Sequence, residues 1–247
     1  MKSWKKSLLL TIPIILSTLI GKGQTSEQDT LQKESSTYAF IDNEITNKNM
    51  CVGMNYGGPR ERIYLEAGNK NINFATWSNF NLEQNFVEEI DYILSVNKTF
   101  NLDSAKSITI SPGVANYTFP NTEMGDAQEV FVKTNISGLP IDIYLKLAKT
   151  FNTGTKPGTL GVLKASKSLE LGKKAKITAQ AEMAYNNNYF STAKGISHSG
   201  LGVTLGYKIS DKITISATGT YQIAVDKDFE ETVFSEPYLA TNFTYTF

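Results

Sequence analysis

The stretch Ile213-Thr214-Ile215-Ser216-Ala217-Thr218-Gly219-Thr220-Tyr221-Gln222-Ile223 alternates small or apolar residues with polar ones from end to end. A period of two puts Ile213, Ile215, Ala217, Tyr221 and Ile223 on one face of a strand. Thr214, Ser216, Thr218, Thr220 and Gln222 then occupy the other. A helix would scatter both sets around its circumference. The pattern recurs upstream. Ala175, Ile177, Ala179, Ala181, Met183 and Tyr185 interleave with Lys176, Thr178, Gln180, Glu182 and Asn186. Ile141, Ile143, Leu145, Leu147 and Phe151 oppose Asp142, Tyr144, Lys146 and Thr150. Ile90, Tyr92, Leu94, Val96 and Phe100 oppose Glu89, Asp91, Ser95, Asn97 and Thr99.

Extending the rule predicts strands at 48–56, 61–69, 71–82, 86–100, 105–119, 128–138, 140–151, 158–170, 174–187, 196–209, 211–225 and 235–247. Their connections alternate in kind. Tight ones fall at Asn69-Lys70, Asn101-Leu102-Asp103, Gly138-Leu139, Gly172-Lys173 and Ser210-Asp211. Mostly longer ones fall at 57–60, 83–85, 120–127, 152–157, 188–195 and 226–234. Short turns at one end and longer loops at the other are what a membrane barrel needs, and the strands are long enough to cross a bilayer when tilted. Lipid tolerates no open sheet edge, so the sheet must close. The expectation is an all-β fold, a closed antiparallel transmembrane β-barrel of 12 strands, with 10 as the runner-up count.

Upstream of the barrel, residues 1–23 read as a signal peptide. Lys2, Lys5 and Lys6 precede an apolar run from Leu8 to Ile20, and Gly21-Lys22-Gly23 makes a small-residue exit. Residues 24–47 read as a polar periplasmic leader, within which Tyr38 to Ile45 suits either a short strand or a packing segment. The barrel domain is then 48–247, in the outer membrane of a Gram-negative bacterium.

Composition excludes several functions. The 247 residues carry 24 Lys and Arg against 24 Asp and Glu, with one Cys and one His. Balanced charge removes the electrostatic footprint of a nucleic-acid binder. A lone Cys, Cys51, allows no intramolecular disulfide and suits a buried or wall position. No metal or other cofactor is expected. His198 lies between Ser197 and Ser199. Neighbouring strand residues point to opposite faces, so neither serine is aligned with it for proton transfer, and a polar residue near the loop rim is the expected role. With no nucleophile-elbow, phosphate-loop or zinc-protease motif, no enzyme is expected.

The polar faces nominate a lumen: Glu66, Glu89, Asp91, Asp142, Lys146, Lys176 and Glu182. A mid-depth basic charge facing lipid would cost about 2–4 kcal/mol. Trp77, Tyr245 and Phe247 are expected at the rims as interface anchors. Leu239, Phe243, Tyr245 and Phe247 share a face of the last strand, interrupted by Thr241. Such an aromatic terminal strand resembles the signal read by the outer-membrane barrel assembly machinery, the expected partner during biogenesis beside outer-membrane lipid.

The stretch Phe74-Ala75-Thr76-Trp77-Ser78-Asn79-Phe80, then Glu89-Ile90-Asp91-Tyr92 and Tyr117-Thr118-Phe119-Pro120, resembles the TorF family of small porin-like outer-membrane β-barrels. Departures are the missing spacer before Tyr92 and Phe119 where the family has Tyr. The resemblance implies a barrel and passive transport. The expected function is a small passive channel for hydrophilic solutes. The alternative is a non-conducting scaffold or an adhesion or assembly component, contacting partners through 120–127, 188–195 or the Phe229-bearing loop 226–234. Oligomeric state is left open.

Overall fold

The computed structural model describes residues 37–51, 54, 55, 57–151, 157–231, 233 and 237–247; the signal-peptide expectation and most of the leader lie outside them. Twelve strands form the wall: β1 (Tyr38–Thr46), β2 (Arg60–Gly68), β3 (Ile72–Asn81) and β4 (Phe86–Val96, continuing as Lys98–Asn101). Then come β5 (Ser107–Thr118), β6 (Ala127–Ser137), β7 (Asp142–Phe151) and β8 (Thr159–Leu171). The last four are β9 (Ala175–Asn187), β10 (Lys194–Lys208), β11 (Ile213–Ala224) and β12 (Pro237–Thr246). Each pairs antiparallel with its chain neighbours, and β1 pairs with β12, from Phe40 opposite Thr246 to Thr46 opposite Ala240. The sheet closes with twelve strands, as the alternation predicts.

The wall starts earlier than expected. Tyr38–Thr46, inside the stretch read as leader, is the closing strand. The expected first strand at 48–56 lies within the connection 47–59, where Met50–Cys51 and Met54–Asn55 make a two-rung hairpin off the wall. Gly57, at φ +127°, and Pro59 interrupt the extended backbone between this hairpin and β2. Cys51 therefore has no wall position.

The outward face is apolar. Leu201 is 69% exposed and Leu147 55%, and Leu239, Tyr221, Val96 and Leu205 stand out similarly around the wall. Apolar exposure of this extent on all sides matches the lipid-facing band of a transmembrane barrel. Inside, Thr150, Asn186 and Ser197 are wholly buried. Turns at 69–71, 102–106, 138–141, 172–174 and 209–212 occupy one end, with both ends of the described wall; longer loops mostly occupy the other. The Asp103 carboxylate closes one turn by accepting the backbone N–H groups of Ala105 and Lys106, both at 2.8 Å. Those bonds, with the Lys106 ammonium, hold its carboxyl below the usual range.

A candidate solute chamber in the barrel interior

Two β-bulges build the interior at the loop end. On β3, Trp77, Asn79 and Asn81 point inward. Across from them Asn79 pairs with Glu89 but Phe80 pairs with Val87, so Glu88 is an extra residue on β4. A bulge breaks the two-residue parity of a strand. Glu88 and Glu89 both turn inward, and Asp91 follows. Glu88 is gripped by the buried Arg60, Nε at 2.7 Å from Oε2 and Nη2 at 3.0 Å from Oε1. Arg62 binds Glu44 at 2.9 Å and lies 5.6 Å above the Trp77 ring. Glu89 and Asp91, two apart on β4, share that inward face.

Trp77, Asn79, Glu88, Glu89 and Asp91 line a chamber of about 460 Å³, with Tyr64, Tyr117, Phe119 and Phe190 as aromatic walls and Lys146 on the far side. Lys146 is held at 2.9 Å by Glu129, a carboxylate almost wholly buried on β6. Just past β1, Asn49 closes one edge, donating to Glu88 at 3.3 Å and accepting from Asn79 at 3.3 Å.

The connection 188–193 folds inward against the opposite side. Asn186 accepts the Tyr189 N–H at 2.9 Å and donates to the Tyr189 carbonyl at 3.1 Å. Asn188 and Phe190 adopt positive φ, 58° and 47°, which turns the chain back on itself. Tyr189 becomes buried and its hydroxyl donates to Glu129. Burial, then the neighbouring Tyr117 and Glu129, pushes its phenol well above the usual value, so it remains a donor. Phe190 meets Tyr117, Phe119 and Tyr189 edge-on, with centroids 5.6, 6.0 and 5.0 Å away. Beneath lies an apolar cluster that includes Ala115, Phe131, Ala148 and Val162.

The second bulge corrects the reading of His198. Ala184 pairs with His198 and Tyr185 with Ile196, so Ser197 is the extra residue and shares the inward face with His198. Ser197 Oγ is 3.1 Å from His198 Nδ1, and His198 Nε2 is 2.8 Å from Glu182. The three side chains line up after all, but Ser197 is wholly buried and donates to the Ala184 carbonyl at 3.2 Å. A hydroxyl engaged in that way has no path to a substrate, and the trio reads as interior packing. His198 is buried rather than placed at a rim. Among the described residues, no group of three or more His, Cys, Asp or Glu side chains is arranged to hold a metal ion.

Of the residues nominated for the lumen, Glu89, Asp91 and Lys146 meet in the chamber. Glu66 lies outside it, on β2, accepting the hydroxyls of Tyr38 and Tyr64. Glu182 pairs with Lys164 at 2.5 Å as well as with His198. Lys176 is exposed near the turn end on the strand face that carries Glu182. Asp142 starts β7 at the turn end and accepts the Gly138 N–H at 3.3 Å. Trp77 corrects the rim assignment, because its ring lines the chamber beneath Arg62. Tyr245 and Phe247 stand at the turn end, with rings edge-on at 5.0 Å. Sequence reasoning missed Glu88 and Arg60, which the first bulge joins. It missed Glu129 too, although Val130 and Val132 alternate with Glu129 and Lys133; Phe131 on the inward face blurs that signal.

No family model matches the chain, and no curated protein matches it. Solved structures do. The NanC porin aligns at TM-score 0.56 and 13% identity, covering 83% of this chain and 98% of that one. The KdgM porin, solved in complex with disordered oligogalacturonate, aligns at 0.53 and 10%, covering 86% and 99%. An outer membrane channel from Pseudomonas putida F1 aligns at 0.50 and 8%, covering 91% and 100%. At such identities the likeness is one of fold: this chain has the architecture of porin-like outer-membrane β-barrels.

Proposed function

We propose that this protein is a small outer-membrane channel for passive diffusion of hydrophilic solutes in a Gram-negative bacterium. The observation that carries the reading is the loop-end chamber, lined by carboxylates, a lysine and aromatic rings inside a closed wall. Beyond it the interior face stays polar toward the turn end through Gln180, Thr178 and the Thr204–Thr218 hydroxyl pair at 2.9 Å. Polar groups lining a pore replace part of a solute's hydration while leaving it free to move on. Cleavage after Gly23, insertion by the barrel assembly machinery and membership of the TorF family belong to the same proposal. Protein refolded into planar bilayers gives discrete conductance steps; persistent silence from heat-modifiable, folded protein defeats the channel.

The inward fold of 188–193 favours a second reading, a barrel shut at its loop end and serving as a scaffold. Replacing Tyr189 and Phe190 together with alanine separates the two. In the channel reading the double variant conducts at least about twice as strongly per step as the parent. In the scaffold reading the parent is silent and only the variant conducts. A partner-binding role for Phe229 finds no support, since that ring is fully buried and packs with Val233 against Ala193 and Ala224.

A further inference from the structure

The chamber holds more negative than positive charge, and the excess sits in one place. The bases beside the acids are engaged elsewhere: Arg60 by Glu88, Arg62 by Glu44 and Lys146 by Glu129, while Lys133, across from Lys146 on β6, lies over the Phe131 ring at 4.8 Å. Glu89 and Asp91 form no ion pair with a base among the described residues; two apart on β4, they face the same way and both line the chamber.

A second, independent feature points at a ligand. Asp91 is only 7% exposed and Asn79 only 2%, both line the chamber, and Oδ1 of each has no hydrogen-bond partner among the described residues. A buried polar atom without a partner costs about 1–3 kcal/mol, more when charged. Both orphan atoms are acceptors, so the missing group is a donor. The Trp77, Tyr64 and Tyr117 rings complete the wall, and aromatic faces attract cations.

We propose that the chamber is a binding site for a small organic ammonium compound, its nitrogen held by Asp91, Glu89 and the Asn79 carbonyl and its body lying against Trp77. An ammonium group donates and never accepts, which fits the orphan atoms. A bare metal ion fits less well: the chamber of about 460 Å³ suits a molecule, and the described acids form no metal-binding group. As the solute class of the channel this rests on the conducting reading; as a binding site it stands without it.

The chain has two tryptophans, Trp4 and Trp77; Trp4 lies before the proposed cleavage after Gly23, and Trp4→Phe leaves Trp77 as the single reporter on the chamber wall whether or not that segment is removed. Detergent-folded protein carrying Trp4→Phe is titrated with benzylamine, benzyl alcohol and sodium benzoate while Trp77 emission is read. Benzylamine gives a saturable change at a concentration about ten-fold below either of the others. Adding Glu89→Gln and Asp91→Asn weakens benzylamine about ten-fold or more in protein that keeps its heat-modifiable migration. If that variant does not fold, the three-ligand comparison on the parent decides alone. Equal responses to alcohol and amine, a preference for benzoate, or no saturable benzylamine response overturns the proposal. So does a saturable response to calcium chloride that abolishes the benzylamine signal at equal concentration. Binding without conductance removes the channel and leaves the site; conductance without binding does the reverse.

Discussion

Ala217→Arg abolishes stable insertion, whereas Thr218→Arg, one residue further on, leaves a folded barrel. Ala217 faces outward on β11, opposite Leu205 on β10 and Thr241 on β12, in an apolar field that includes Phe243 and Tyr221. A guanidinium in that band costs about 2–4 kcal/mol near mid-depth. The folding equilibrium therefore shifts by roughly 30- to 1,000-fold. Thr218 faces inward, hydrogen-bonded to Thr204. On the inward row of β10, Gln180 and Thr220 fill the space over Gly202, but toward the turn end a Cβ at Gly206 would have the Lys176 carbonyl, 3.9 Å away, as its nearest neighbour, so a long side chain can extend that way. Folding into lipid vesicles, followed by heat-modifiable migration, measures both. Equal loss in the two variants would remove the distinction between lipid and lumen on which the membrane reading of this face depends. In bilayers Thr218→Arg also shifts ion preference toward anions.

The wall was readable because lipid makes one face uniformly apolar. On β4, β7, β9 and β11 the outward residues are the ones the period of two selects, and both β11 faces come out as read. The rule fails where the inward face is not polar. Tyr38 and Phe40 point inward on β1, with rings stacked at 6.5 Å, while Asn43 points out. Each face of β1 is then mixed, and the strand is lost in a polar leader. Met50, Cys51 and Met54 look like a strand by composition, but pairing decides, and theirs extends only two residues.

The site was less legible for a related reason. Parity reasoning assigns a face to each residue only while the register holds, and each bulge shifts it by one. Glu88 and Ser197 are those shifts. One adds a carboxylate to the chamber; the other sets a serine beside His198, which a regular strand forbids. Nothing in either local sequence marks the extra residue. Trp77 was misplaced because aromatic residues serve both as rim anchors and as chamber walls, and only the inward direction of Asn79 and Ala75 on the same strand decides between them.

Glu129→Leu destabilises the folded barrel by about 3 kcal/mol, and the loss falls on the loop end first. Glu129 binds two groups from distant parts of the chain, the Lys146 ammonium at 2.9 Å and the Tyr189 hydroxyl. Removing it strands a partly buried cation and a buried donor, and breaking such a pair costs far more than forming it returns. Lys146 keeps some access to the chamber, its side chain 18% exposed, so the low end of the usual 3–5 kcal/mol range applies. Adding Lys146→Met and Tyr189→Phe removes both stranded groups and recovers most of the loss. Glu129→Gln retains an acceptor for Tyr189 but no charge for Lys146, and falls between. Urea unfolding from lipid vesicles gives the three stabilities, and the conductance of Glu129→Leu adds a functional readout. With Tyr189 released, the 188–193 segment loses its deepest anchor, so unit conductance rises toward that of the double-alanine variant. A variant as stable as its parent, with unchanged conductance, would show that Glu129 does not hold the segment in place.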